Sequence, residues 1–141
     1  MPKKHRPKRR SACPLNVSLE VFGDRWSLLV VRDLMFGGHR TFKEFLDSGE
    51  KIATNVLAER LQRLEANEII ERCRDADDAR KVNYALTKKG IALAPVLVEM
   101  IIWGARHEET AAPPEIIRRM VADRDGVVAE IRDQWKKDRS L

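Results

Sequence analysis

Between residues 54 and 63 the chain interleaves Thr54, Asn55, Ala58, Glu59, Gln62 and Arg63 with Val56, Leu57 and Leu61, and Leu64 follows. The apolar four recur at helical spacing, so a helix here buries them and turns the polar set outward. Asn, Gln and Arg can make paired hydrogen bonds to base edges in a major groove, and Glu can accept from cytosine. Thr41 and Thr54, each at the start of a helical pattern, suit phosphate oxygens together with the first-turn amides. The chemistry implied is recognition of double-stranded DNA by hydrogen bonding. Taken alone, the pattern is better described as the solvated face of an amphipathic helix, and the surrounding order of helix, turn, helix and hairpin reverses that preference.

A second set of groups lies downstream and a third upstream. Arg72, Arg74, Arg80 and Lys81 can approach phosphates or a minor groove, with Asp78 placed to orient Arg80, although Asp75, Asp77 and Asp78 nearly balance their charge. Cys13 precedes a helical pattern and follows Arg9 and Arg10, a setting that favours a thiolate; the alternative is a small apolar residue at a subunit seam. His5, His39 and His107 have no metal-ligand spacing. The sequence contains no Gly-rich phosphate loop and no nucleophile–base pair, so neither a cofactor nor catalysis is expected.

The elements that must position these groups follow from periodicity. Residues 14–22 read as a short helix, with Leu15, Leu19 and Phe22 at helical spacing. Asp24 caps a second helix through Met35, stopped by Gly37-Gly38. Thr41 caps a third with Phe42, Phe45 and Leu46, and the helix of residues 54–67 follows. Two helices joined by a short turn read as a helix-turn-helix. The period then drops to two on both sides of residues 75–79, predicting a hairpin over 68–74 and 81–86. Thr87 caps a helix to His107, bent by Pro95 inside it. Pro113-Pro114 marks a boundary before a last helix, either continuous through Gly126 or interrupted there.

Composition bounds the rest. The 141 residues hold one domain with a real core, and charged residues reach 35%. The net charge of +5 belongs to the tail: six basic residues precede residue 11 without an acid, leaving 21 basic against 22 acidic residues thereafter. Residues 1–11 are therefore read as a disordered basic arm, either neutralising phosphates or solubilising the chain. Two cysteines form no disulfide framework, and no apolar run of bilayer length or signal peptide is read, so a cytoplasmic protein without a membrane partner is expected.

These residues resemble one family. Cys13-Pro14-Leu15 followed by Gly23-Asp24-Arg25-Trp26-Ser27-Leu28-Leu29 is similar to the opening of HxlR-type regulators, and residues 56–66 resemble their recognition helix. Residues 82–87 with Gly90 resemble the second wing strand and the following helix start, and Trp103-Gly104 the usual end. Ala53 stands where the family often has Ser, Glu68 where Gly usually follows the recognition helix, and Ala79-Arg80 where Pro-Pro is common.

The resemblance implies a mainly α winged helix-turn-helix with a small β-hairpin wing, related more distantly to MarR-type proteins. It further implies a homodimer through the N-terminal and post-wing helices, for which Leu15, Leu19, Val98, Ile101, Ile102 and Trp103 are the candidates. Two recognition helices would then meet successive major grooves of a pseudo-palindromic site. Cys13 matches the cysteine that some members use to sense oxidants or electrophiles, implying a small-molecule or oxidant signal. The expected organisation is an arm over 1–11, a winged domain over 12–110 and a helical extension over 111–141. The competing reading is a winged-helix module for protein contacts or RNA, which a neutral or acidic face over residues 54–63 and 72–81 would favour.

Overall fold

The structure is a computed structural model that describes residues 8–38 and 40–139. Its elements are α1 (Pro14–Phe22), α2 (Ser27–Met35), α3 (Phe42–Leu46), α4 (Thr54–Ala66), β1 (Ile70–Arg74), β2 (Val82–Leu86), α5 (Lys88–Ile91), α6 (Ala94–His107), α7 (Pro114–Ala122) and α8 (Arg124–Arg139). The arm residues Lys3, Lys4 and Arg6, with His5 and His39, lie outside the described residues.

Local chemistry explains most boundaries. Pro14 opens α1, where a missing N–H costs nothing. Asp24 Oδ1 accepts from the amides of Trp26 and Ser27 at 2.8 and 3.0 Å, turning the chain into α2. Thr41 and Glu44 form a reciprocal capping box at the start of α3. At the end of α4 the Glu68 amide bonds Glu65 O and the Ile69 amide bonds Leu64 O, a Schellman motif. That motif puts Glu68 in the left-handed region, at φ 60°, and it uses residues 67–69. The first wing strand consequently begins at Ile70, not at 68 as the alternation suggested. β1 and β2 pair antiparallel from Ile70↔Leu86 to Arg74↔Val82.

The helix expected over 87–107 is two helices. Pro95 cannot donate to Ile91 O, and its ring would clash there, so the chain turns at Ala92-Leu93 and restarts with Pro95 in the first turn of α6. The whole stretch Lys88–His107 has the length and composition to cross a bilayer, contrary to the sequence expectation. In the fold it is broken at that turn, and it buries Ala94, Leu97, Val98 and Ile102. The later break also falls elsewhere than expected. It comes at Asp123, whose Oδ1 caps α8 by accepting from the Gly126 amide at 3.0 Å, so Gly126 lies inside the helix.

Two clusters form the core. Val30, Val31, Phe45, Leu57, Leu61, Leu64, Ile70 and Leu86 gather α2, α3, α4 and the hairpin, and Ile131 and Trp135 of α8 pack against them. Val98 and Ile102 of α6 join Met120 and Val127 in the second. This corrects the expected dimer set. Val98 and Ile102 are 1% and 2% exposed because α7 and α8 of the same chain cover them, and Ile101 packs against that cluster too. Trp103, Leu15 and Leu19 of that set stay exposed, and on α6 the open face is Val96, Met100 and Trp103, at spacings of four and three.

Candidate nucleic-acid interface

α4 buries Leu57, Leu61 and Leu64 against the first core, and this orients the rest of the helix. Thr54, Asn55, Glu59 and Gln62 are exposed on its outer side, while Arg63 is half-buried. Ala53 supplies no side-chain cap, so the first-turn amides of α4 have no side-chain acceptor.

Glu59 and Arg63 are not independent readers. Arg63 Nη2 donates to Glu59 Oε1 at 2.8 Å, one turn away. A pair this exposed is worth only about 0.3–0.5 kcal/mol, whereas a bidentate arginine–guanine contact discriminates by about 1–3 kcal/mol. The pair holds Arg63 in place without withholding it from DNA.

Two residues that brace α4 were not read in this role from the sequence. Arg60 lies at the margin of the apolar stripe, so periodicity assigns it to neither face. Its Nε donates to Asp24 Oδ1 at 2.8 Å, and it also pairs with Glu59. Arg63 Nη1 stands 3.8 Å from Asp24 Oδ2. Asp24, read from the sequence only as a cap, is therefore also the acid that ties the turn after α1 to α4. Burial opposes its charge, but hydrogen bonds from Ser27 Oγ, Arg60 and the Trp26 and Ser27 amides outweigh that and hold its carboxyl below the usual carboxylate range.

Thr41 stands at the head of α3, with its hydroxyl engaged on both sides: it accepts from the Glu44 amide at 3.2 Å and donates to Glu44 Oε1 at 3.0 Å. A phosphate contact from that hydroxyl requires opening the cap. In the wing, Arg80 and Lys81 are exposed at the tip, and the Arg80 side chain, at 93% exposure, meets Asp78 only at 3.5 Å. The wing acids build the loop: Asp75 Oδ1 accepts from the Asp77 and Asp78 amides at 2.8 and 3.2 Å, and Asp75 Oδ2 from Asn83 at 3.3 Å. Over residues 54–63 and 72–81, six basic side chains face four acidic ones, a modest positive excess.

Cys13 is exposed at the N-terminus of α1. Its pKa is lowered by the Asn16 and Leu15 amides, not by the neighbouring arginines that the sequence suggested, although neither amide is aligned as a cap hydrogen bond. Cys73 is exposed on β1 opposite Asn83. Among the described residues no group of three or more His, Cys, Asp or Glu gathers as for a metal.

Comparison with known proteins bears on this arrangement. The model of the HxlR-like helix-turn-helix family matches residues 21–112, which excludes α7 and α8. The HTH-type transcriptional regulator YodB of Bacillus subtilis is 42% identical over 92 residues, covering 64% of this chain and 81% of YodB. The structure of reduced YodB superposes with a TM-score of 0.57 at 39% identity, over 69% of this chain and 95% of that one. The redox regulator HypR in its oxidised form gives 0.62 at 30% identity, over 70% and 100%. YodB has also been solved after diamide treatment and with quinone bound.

Proposed function

Because this chain belongs to the HxlR-like helix-turn-helix family of transcriptional regulators, we propose that it binds a pseudo-palindromic DNA site as a cytoplasmic homodimer, with α4 in the major groove. The observation that carries this reading is the pairing of faces on α4: Leu57, Leu61 and Leu64 are locked into the core, and Thr54, Asn55, Gln62 and the arginine-paired Glu59 are exposed on the opposite side. A buried stripe fixes the helix, so the exposed amide and hydroxyl groups arrive at base edges already oriented. Arg63 reads guanine by exchanging Glu59 for the base. Arg80 and Lys81 contact the backbone or minor groove beside it, and Thr41 with the uncapped amides of α4 sits against phosphates.

The dimer closes through Leu15 and Leu19 of α1 and the Val96, Met100 and Trp103 stripe of α6. A two-fold site requires of such a dimer that its two copies of α4 stand about 34–36 Å apart, one turn of duplex. Cys13, at one end of that interface, responds to oxidants or electrophiles. Its pKa is shifted in the direction that favours thiolate and its sulfur is exposed, and YodB and HypR, each solved in more than one redox or ligand-treated form, are precedents. Cys13→Ser abolishes the response of DNA binding to diamide or a quinone in this reading, and an unchanged response removes Cys13 from it.

The test of the function is fluorescence anisotropy on DNA from the protein's own upstream region and on a scrambled duplex, at near-physiological salt. Binding tighter on the native duplex by about a thousandfold or more is expected. Equal, steeply salt-dependent binding would leave only the basic arm at work. That outcome would favour a module that contacts protein.

A further inference from the structure

We infer that α8, which lies beyond the residues matched by the family, is a strap that sets the attitude of the wing, with Trp135 and Arg139 as its positioning residues. The inference rests on the DNA-binding reading above and adds to it an element that reaches the wing from the far end of the chain.

In an antiparallel pair, alternate residues turn their backbone groups to the same side. Tyr84 and Leu86 are two apart on β2, while the Thr87 amide turns the other way, to Ile69 O at 3.0 Å. The outer edge of β2 therefore presents the Tyr84 amide and the Leu86 carbonyl. The first donates to Arg40 O at 2.7 Å. The second accepts from two side chains of α8, Trp135 Nε1 at 2.8 Å and Arg139 Nη1 at 2.9 Å. A carbonyl that a further strand would otherwise use is thus satisfied by a helix, and the edge is closed.

The strap reaches both sides of the sheet. Arg139 Nη1 also meets Glu71 Oε1 of β1 at 2.7 Å, so one guanidinium bridges the two strands at the wing base. Its carbon lies 5.0 Å from the centroid of the Trp135 ring, which keeps the two donors together. On the other side, Arg40 pairs with Asp138 at 3.2 Å just before the cap of α3. The opposite end of α8 packs on α6, the helix that carries the open apolar stripe. A two-stranded hairpin has little intrinsic stability of its own, so the bonds at its base decide how its tip, with Arg80 and Lys81, is aimed.

Two readouts on the full chain test this. Hydrogen exchange without DNA compares the wild type with Trp135→Phe/Arg139→Met, which removes both donors and keeps apolar bulk. Exchange over residues 70–86 is expected to rise about tenfold, with α4 unchanged. On the native duplex the same variant is expected to bind about fivefold more weakly, and to cost less than twofold when Arg80→Ala/Lys81→Ala is already present, because a strap that acts through the tip has nothing to aim once the tip is gone. Unchanged wing exchange, or a loss of equal size in both backgrounds, would overturn the inference. Trp135→Phe alone, which keeps the ring in the core, gives the same comparison if the double variant unfolds. Failure of the wild type to prefer its native duplex would count against the regulator, while the exchange measurement still decides the strap.

Discussion

Asp24 Oδ1 accepts from Arg60 Nε at 2.8 Å, joining the turn after α1 to the middle of α4 across 36 residues of chain. The same oxygen accepts the Trp26 and Ser27 amides, so one carboxylate starts α2 and anchors α4. The bond fixes the chain just beyond α1, the helix with the exposed Leu15 and Leu19, against α4.

Replacing that charge has a defined cost. Asp24→Asn is expected to lower stability at pH 7 by about 1.5–3 kcal/mol, the range for hydrogen bonds to charged groups. The folded-state pKa of Asp24 is depressed, so its contribution is complete above the ordinary carboxyl value and disappears as pH falls through the folded value. The wild type therefore loses stability from about pH 5 downward. Glu50, held low by its hydrogen bond from Arg32, adds to the same limb. Urea unfolding at a series of pH values checks this: the Asp24→Asn curve is flatter in acid, and parallel curves would refute the assignment.

Glu68 occupies a backbone conformation made for glycine, at φ 60° after α4. Glu68→Gly is expected to stabilise the fold by about 1 kcal/mol, raising the melting midpoint by about 3 °C. Glu68→Ala keeps the Cβ and so gains nothing. Thermal unfolding of both variants separates relief of strain from removal of a charge.

The opposite holds at Gly90. A Cβ there would stand 2.2 Å from Ile69 O, a backbone atom held in the junction between the wing and α5. Gly90→Ala is expected to destabilise by about 2–3 kcal/mol, read as a lower urea midpoint with an unchanged slope.

The two faces of α6 predict different failures. Met100→Glu places a charge on the open stripe, where Met100 is 55% exposed, and is expected to give a folded monomer in sedimentation. Ile102→Ala, inside the second core, is expected to cost about 2–5 kcal/mol while leaving self-association intact in whatever fraction stays folded.

Much of this architecture was legible in local sequence. Pro14, Thr41 with Glu44, and the period-two alternation of Val82, Tyr84 and Leu86 each act through neighbours a few residues away, and those elements stand where they were expected. The departures came from longer-range terms. Asp123 outcompetes Gly126 as the break because a capping carboxylate compensates the new helix start. Val98 and Ile102 read as a subunit seam because an apolar stripe does not say which surface covers it, and here α7 and α8 do. The Asp24–Arg60 link was invisible because neither residue breaks a pattern; only the fold brings the turn against the helix. The Leu86 carbonyl was hidden for the same reason, as its partners lie 49 and 53 residues away.

The most direct test of the central claim is the affinity of Asn55→Ala for the native upstream duplex and for a scrambled one, by anisotropy at fixed salt. Asn55 is exposed at the start of α4 and has no ion pair to lose. Weakening by about 1–3 kcal/mol on the native duplex alone, with the scrambled duplex unchanged, is the result expected of a side chain that reads a base edge. Equal weakening on both would show that it contacts only the backbone, and no change on either would mean that α4 is not the reading helix.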